Sequence, residues 1–121
     1  MLVFSRAIGE SGILVHPSMT WLITVLSIRS NDATFLITHA PPNAPGVLKA
    51  QKIDLSIDQM QKLNETTQLV LVDIREEKVR IGVNTTRDTQ VHRLEVWQAI
   101  QREQKFLDDG DEGPAGSPVP A

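Results

Sequence analysis

Laid over itself so that Trp21 meets Thr67, the chain repeats. WLITVLSIRSNDATFLIT falls on TQLVLVDIREEKVRIGVN, with Val25 against Leu71, Leu26 against Val72, Ile28 against Ile74 and Arg29 against Arg75. Each segment is a β-branched apolar run, a short polar turn (Ser30 to Asp32; Glu76 and Glu77) and a second run, the pattern of a β-hairpin. With a small insertion allowed in the proline-rich link APPNAP the match extends, and Val47-Leu48-Lys49 stands opposite Val91-His92-Arg93 as a third short strand in each copy. Such a repeat restricts the fold, because one small meander cannot cover its own apolar face while two copies in tandem can share a core. Both alternations of the strands are apolar, as in Leu69, Val70, Leu71 and Val72, so both faces are expected to be covered.

Each copy then turns helical. LEVWQAIQREQKFL places Val96, Trp97, Ile100 and Leu107 on one stripe with Gln, Arg and Glu opposite, an amphipathic helix. In the first copy DLSIDQMQKL, residues 54–63, offers Leu55, Ile57, Met60 and Leu63 at helical spacing, with Asp54 or Ser56 as N-cap and Asn64 at the exit. The expected class is therefore mostly β with two short helices. The copies differ at their starts. LVFSR and GILVH precede the first hairpin, joined by a turn at Ile8-Gly9-Glu10-Ser11, and no equivalent opening strand is read for the second copy. The expected organisation is one pseudo-dimeric domain over residues 1–106, with copies at 1–63 and 64–106, followed by a disordered acidic tail over 107–121.

Composition narrows the function. In 121 residues with 40% apolar content there is room for one modest core and no cysteine for disulfides or thiolate metal sites. The opening run is broken by Ser5, Arg6 and Glu10, so neither a secretory leader nor a membrane span is read there, and a cytoplasmic protein is expected. The net charge of −3 belongs to Asp108, Asp109, Asp111 and Glu112, and all 12 Lys and Arg precede residue 107. A near-neutral body of this kind would hold a nucleic acid through a local basic site rather than a general field.

Catalytic patterns are absent from the sequence. His16, His39 and His92 are isolated, no serine sits in a Gly-x-Ser-x-Gly elbow, and the glycines at 9 and 12 form neither a P-loop nor a dinucleotide fingerprint. No enzyme, cofactor or metal site is expected. Basic groups at strand ends remain: Arg6, Arg87 and Arg93 beside His92. A guanidinium can hold a phosphate or the O6/N7 edge of guanine bidentately, and main-chain groups at a strand edge can read unstacked bases.

Two stretches carry a resemblance. MLVFSRAIGES resembles the MLxLSRxxGES signature of the CsrA/RsmA carbon storage regulators, and IREEKVRIGVNTTRDTQVHRLEVWQAIQ resembles their second half, with its VHRxEI junction. The resemblance covers residues 1–16 and 67–106 well and 20–53 weakly. It implies intertwined antiparallel β-sheets, as in those small RNA-binding homodimers, folded here as a pseudo-dimer on one chain. It also implies a post-transcriptional regulator that binds GGA motifs of mRNA leaders, with each site made from one first strand and one last strand. Here that site would combine Leu2, Phe4, Ser5 and Arg6 with Val91, His92 and Arg93, and Thr86, Arg87 and Thr89 in the loop before them. The second site would lack its opening strand, so one site is expected. Departures are Phe4 where Leu is usual, Ala7 where a basic residue is usual, and Gln90 where Pro is common. Expected partners are mRNA and a CsrA-antagonist protein or small regulatory RNA, with the chain acting as a monomeric pseudo-dimer or a homodimer. The rival reading is a module that pairs with CsrA-type subunits or their antagonists and has lost RNA binding.

Overall fold

The computed structural model describes residues 1–41 and 49–110, with side chains to residue 104. Nine strands and one helix follow in order: β1 (Leu2–Ala7), β2 (Ser11–His16), β3 (Met19–Ile28), β4 (Asp32–Ala40), β5 (Lys49–Ser56), β6 (Met60–Lys62), β7 (Gln68–Arg75), β8 (Lys78–Asn84), β9 (Gln90–Arg93) and α1 (Leu94–Gly110). They form two antiparallel sheets, one ordered β1-β8-β7-β6 and the other β5-β4-β3-β2-β9. The mostly β, intertwined architecture is as expected. Among the described residues no helix is long and apolar enough to cross a membrane.

Period-two alternation builds the core. Trp21, Ile23 and Val25 of β3, Phe35 and Ile37 of β4, Leu69 and Leu71 of β7 and Val79, Ile81 and Val83 of β8 all point between the sheets and are buried. The opposite alternation is not sealed, contrary to expectation. Val70 and Val72 stay half-buried, and a row across the first sheet, Val3↔Gly82↔Val70↔Met60, leaves Val3 41% and Met60 56% exposed. Where α1 packs on β2 and β9, the outward Ile13 falls to 8%.

The helix expected over 54–63 does not form, so the described residues hold one helix rather than two. That segment is the end of β5, a turn, and β6. Leu55, Ile57, Met60 and Leu63 fit a helical stripe, but Ile53 and Leu55 also alternate, and pairing with β4 (Phe35↔Ile53, Ala33↔Leu55) puts both inside. The pairing outweighs the local preference, and Asp58 turns the chain at φ 73°, a region open to Asp.

β5 is also a second opening strand. In the first unit Glu10 N–H donates to Ala7 O (3.0 Å), Gly9 N–H to Val25 O (2.8 Å), Val25 N–H to Glu10 O (3.1 Å) and Ala7 N–H to Glu10 Oε1 (2.8 Å). In the second, Gln59 N–H donates to Ser56 O (2.9 Å), Asp58 N–H to Leu71 O (2.7 Å), Leu71 N–H to Gln59 O (3.3 Å) and Ser56 N–H to Gln59 Oε1 (2.9 Å). Gly9, at φ 86°, and Asp58 hold the same left-handed position. Both hairpins carry a register shift at matching places, Val25/Ser27 and Leu71/Asp73. The orders β1-β8-β7-β6 and β5-β4-β3-β2 therefore correspond strand for strand, each opening strand pairing with the other unit's hairpin. Only β9 and α1 have no counterpart among the described residues. Val47 and Leu48, expected to begin the first copy's last strand, lie outside the described residues, and Lys49 begins β5. The helix takes in residues 107–110 of the expected tail, and the rest of that tail lies outside the described residues.

Candidate nucleic-acid interface

β1 and β9 are the edge strands of different sheets and meet along one seam. β1 is held by β8 (Ser5↔Arg80, Ala7↔Lys78) and β9 by β2 (Ile13↔His92, Leu14↔Val91). Between them run two adjoining grooves. One, of about 260 Å³, is lined by Leu2, Val3, Phe4, Val91, His92, Arg93 and Val96. The other, about 640 Å³, is lined by Val3, Phe4, Ser5, Arg6, Arg93, Glu95, Glu10, Lys78 and Arg80. Residues 2–6 and 91–93 are thus brought together. The Phe4 ring lies on Gly12, where a Cβ would collide with it, so a glycine is what lets β1 settle onto β2.

The loop residues stand apart. Thr86, Arg87 and Thr89 line neither groove. Thr89 is buried and ties the loop to the fold, its hydroxyl bonded to Thr85 (3.0 Å), which in turn meets Thr67 (2.8 Å). Arg87 is exposed. Asp88, hydrogen-bonded by the Thr86 hydroxyl, is held below the usual carboxylate range by that bond first and by its own backbone N–H, with a smaller contribution from His16 at 3.5 Å.

Arg6 is not an open cation. Its Nε donates to Ser5 O (2.8 Å), Nη1 to Ser11 O (3.2 Å) and to Glu95 Oε1 (2.8 Å), and Nη2 to Glu95 Oε2 (2.9 Å). The residue is 4% exposed. Arg93, by contrast, is exposed and makes no ion pair among the described residues. Next to it the His92 ring stacks on Trp97 with centroids 5.6 Å apart and planes inclined at 26°.

Glu95 feels the same contact. The Arg6 hydrogen bonds first, its own backbone N–H next and the charges of Arg6 and Arg93 last lower its carboxyl from an ordinary 4.5 to about 2, against a small opposing effect of desolvation. A depressed carboxylate adds stability that is present above its unfolded value and lost as pH falls through the folded one. A carbon-detected NMR titration should accordingly find the Glu95 carboxyl still ionised at pH 4 and protonating near pH 2, with the midpoint moving up if the Arg6 contact is broken.

Lys78, Arg80, Glu95 and Trp97 were not singled out as site residues by the sequence. Lys78 and Arg80 alternate on β8, a signal visible in KVR, but only the β1–β8 register carries them to the seam. Arg80 Nη1 also reaches Asp73 Oδ2 at 3.4 Å, leaving Lys78 as the less engaged of the two.

Comparison with known proteins points in one direction. Residues 55–102 match the family model CsrA, described as a global regulator protein family. The chain is similar to the translational regulator CsrA of Rhodopirellula baltica, 46% identical over 46 residues, which cover 38% of this chain and 66% of that protein. It is 38% identical over 48 residues to the same-named protein of Leptospira biflexa, covering 40% of this chain and 61% of the relative. With that of Treponema pallidum it shares 30% identity over 56 residues, 46% of this chain and 77% of the relative. The chain thus spans somewhat under two thirds of the first two relatives. No solved structure matches significantly.

Proposed function

We propose, because this chain belongs to the CsrA family, that it binds GGA-containing single-stranded or hairpin-loop segments of mRNA leaders through one composite site and thereby alters translation or mRNA stability. The observation that carries this reading is the seam, where β1 and β9 converge although most of the chain separates them in sequence. Arg93 supplies the open guanidinium for a guanine edge or a phosphate. β9 is a sheet edge, and its outward main-chain groups suit the Watson–Crick edges of unstacked bases. Lys78 and Arg80 extend positive charge past Ser5 along the larger groove.

The pseudo-symmetry among the described residues supports a single site, for a different reason than the sequence suggested. We divide the chain into a first unit over 1–40 and a second over 49–110. Both own an opening strand, and only the second has a described last strand and helix. One site per chain forgoes the avidity of a two-site protein bridging two motifs. The mRNA is the expected cytoplasmic partner, with an antagonist protein or small regulatory RNA competing for the seam. The row Val3, Val70 and Met60, exposed at its two ends, favours a second reading, a protein-pairing module without RNA binding.

A gel-shift titration with a GGA-loop hairpin separates the two. Binding at micromolar protein or tighter, one RNA per chain, is expected. Arg93→Ala should weaken it roughly ten- to a hundredfold, the share of one guanidinium on a base edge. Absence of binding by the unaltered chain, or an Arg93→Ala variant that binds as well, would overturn the RNA reading.

A further inference from the structure

The two walls of the seam belong to different sheets and share no hydrogen-bonded ladder. Beyond the short turn that joins β1 to β2, their relative placement comes from side chains. Among the described residues the only ion pair joining β1 to the β9–α1 junction is Arg6–Glu95, two parallel N–H···O bonds at 2.8 and 2.9 Å across 89 residues of sequence. A bidentate pair fixes orientation as well as distance.

From this pair we infer that Glu95 is a positioning residue for the proposed RNA site, acting through Arg6 to lock β9 and the start of α1 against β1. The inference rests on the RNA reading of the seam. Three observations carry it.

First, the guanidinium is spent. Four of its donor bonds are made within the protein, and the residue is nearly inaccessible, so a guanine or phosphate would have to evict Glu95 to reach it. Second, the other half of the molecule supplies a control. The strand–turn hydrogen bonds that align Ala7 with Ser56 and Gly9 with Asp58 place Leu55 where Arg6 stands, and Leu55 is 1% exposed. That half has no described last strand or helix to offer a carboxylate. Among the described residues an arginine is found where a glutamate meets it and an apolar side chain where none does, as expected if the residue serves the seam rather than the ligand. Third, Glu95 is an acid on the rim of a groove meant for a polyanion, with its side chain 58% exposed. On charge alone it opposes RNA, so its contribution has to be geometric.

The test uses the full chain and the GGA-loop hairpin. Glu95→Ala removes a negative charge from the rim, yet its affinity should fall about tenfold, within the usual coupling of residues in direct contact. Arg6→Leu, which installs the side chain the other half already tolerates, should fall equally, and the double variant should fall no further. The slope of log affinity against log salt should stay at the unaltered value in all three, because no phosphate contact is removed. Circular dichroism melts confirm that each variant is folded at the assay temperature. If Glu95→Ala fails to fold, Arg6→Leu and Glu95→Gln carry the comparison. Equal or tighter binding by the Glu95 variants overturns the inference while the RNA reading stands. An additive double variant, or a salt slope lowered by about one in Arg6→Leu, makes Arg6 a direct contact and also overturns it. An unaltered chain that does not bind removes both.

Discussion

Replacing Leu55 by arginine is expected to destabilise the protein by about 3–5 kcal/mol, the usual consequence of an uncompensated charge left in a core. Leu55 is 1% exposed, packed inside β5 opposite Ala33, and no described carboxylate pairs with the matching position. The same substitution in reverse, Arg6→Leu, should be far milder. Its abandoned partner Glu95 is already more than half exposed and returns to water. Urea denaturation of both variants reads the contrast directly, as a large fall in midpoint for Leu55→Arg and a small one for Arg6→Leu. Similar midpoints would mean that a carboxylate outside the described residues serves Leu55's half, and the two halves would then be equivalent.

A second large loss is expected at Phe35. It is 1% exposed, among the largest fully buried side chains, and faces Val25 and Ile53 across β3 and β5. Truncation to alanine removes the ring and leaves a cavity between two sheets that cannot close independently, at about 3–5 kcal/mol. Thermal unfolding followed by circular dichroism should show a lower midpoint with one transition, because both sheets rest on this shared core. Two separated transitions would contradict a common core.

The sequence carried both halves of the seam and the hairpin repeat because these are local signals. The β-branched apolar runs WLITV and LVLV mark strands, and the stripe of Val96, Trp97 and Ile100 marks α1. The segment 54–63 misled because Leu55, Ile57, Met60 and Leu63 satisfy a helical spacing, and what decides between helix and strand is an open edge on β4 that no window of sequence contains. That single misreading hid the second opening strand, β5. Arg6 was legible as a residue and illegible as a role. Its chemistry is fixed by Glu95, whose approach depends on two sheets closing over each other. Lys78 and Arg80 were missed for the same reason, since nothing before the β1–β8 register places them beside Ser5.

The pairing of β1 with β8 also imposes an order of events. Strands β2 to β5 join their neighbours through short connections, apart from the link between β4 and β5, and can pair soon after they leave the ribosome. β1 cannot: Ala7 waits for Lys78 and Leu2 for Val83, and the groove waits further for β9. Until then an apolar strand with unpaired edges stays open to wrong partners, the exposure that makes long-range β pairing slow and prone to misassembly. The seam therefore forms late in synthesis, and no product that ends before β9 carries both of its walls.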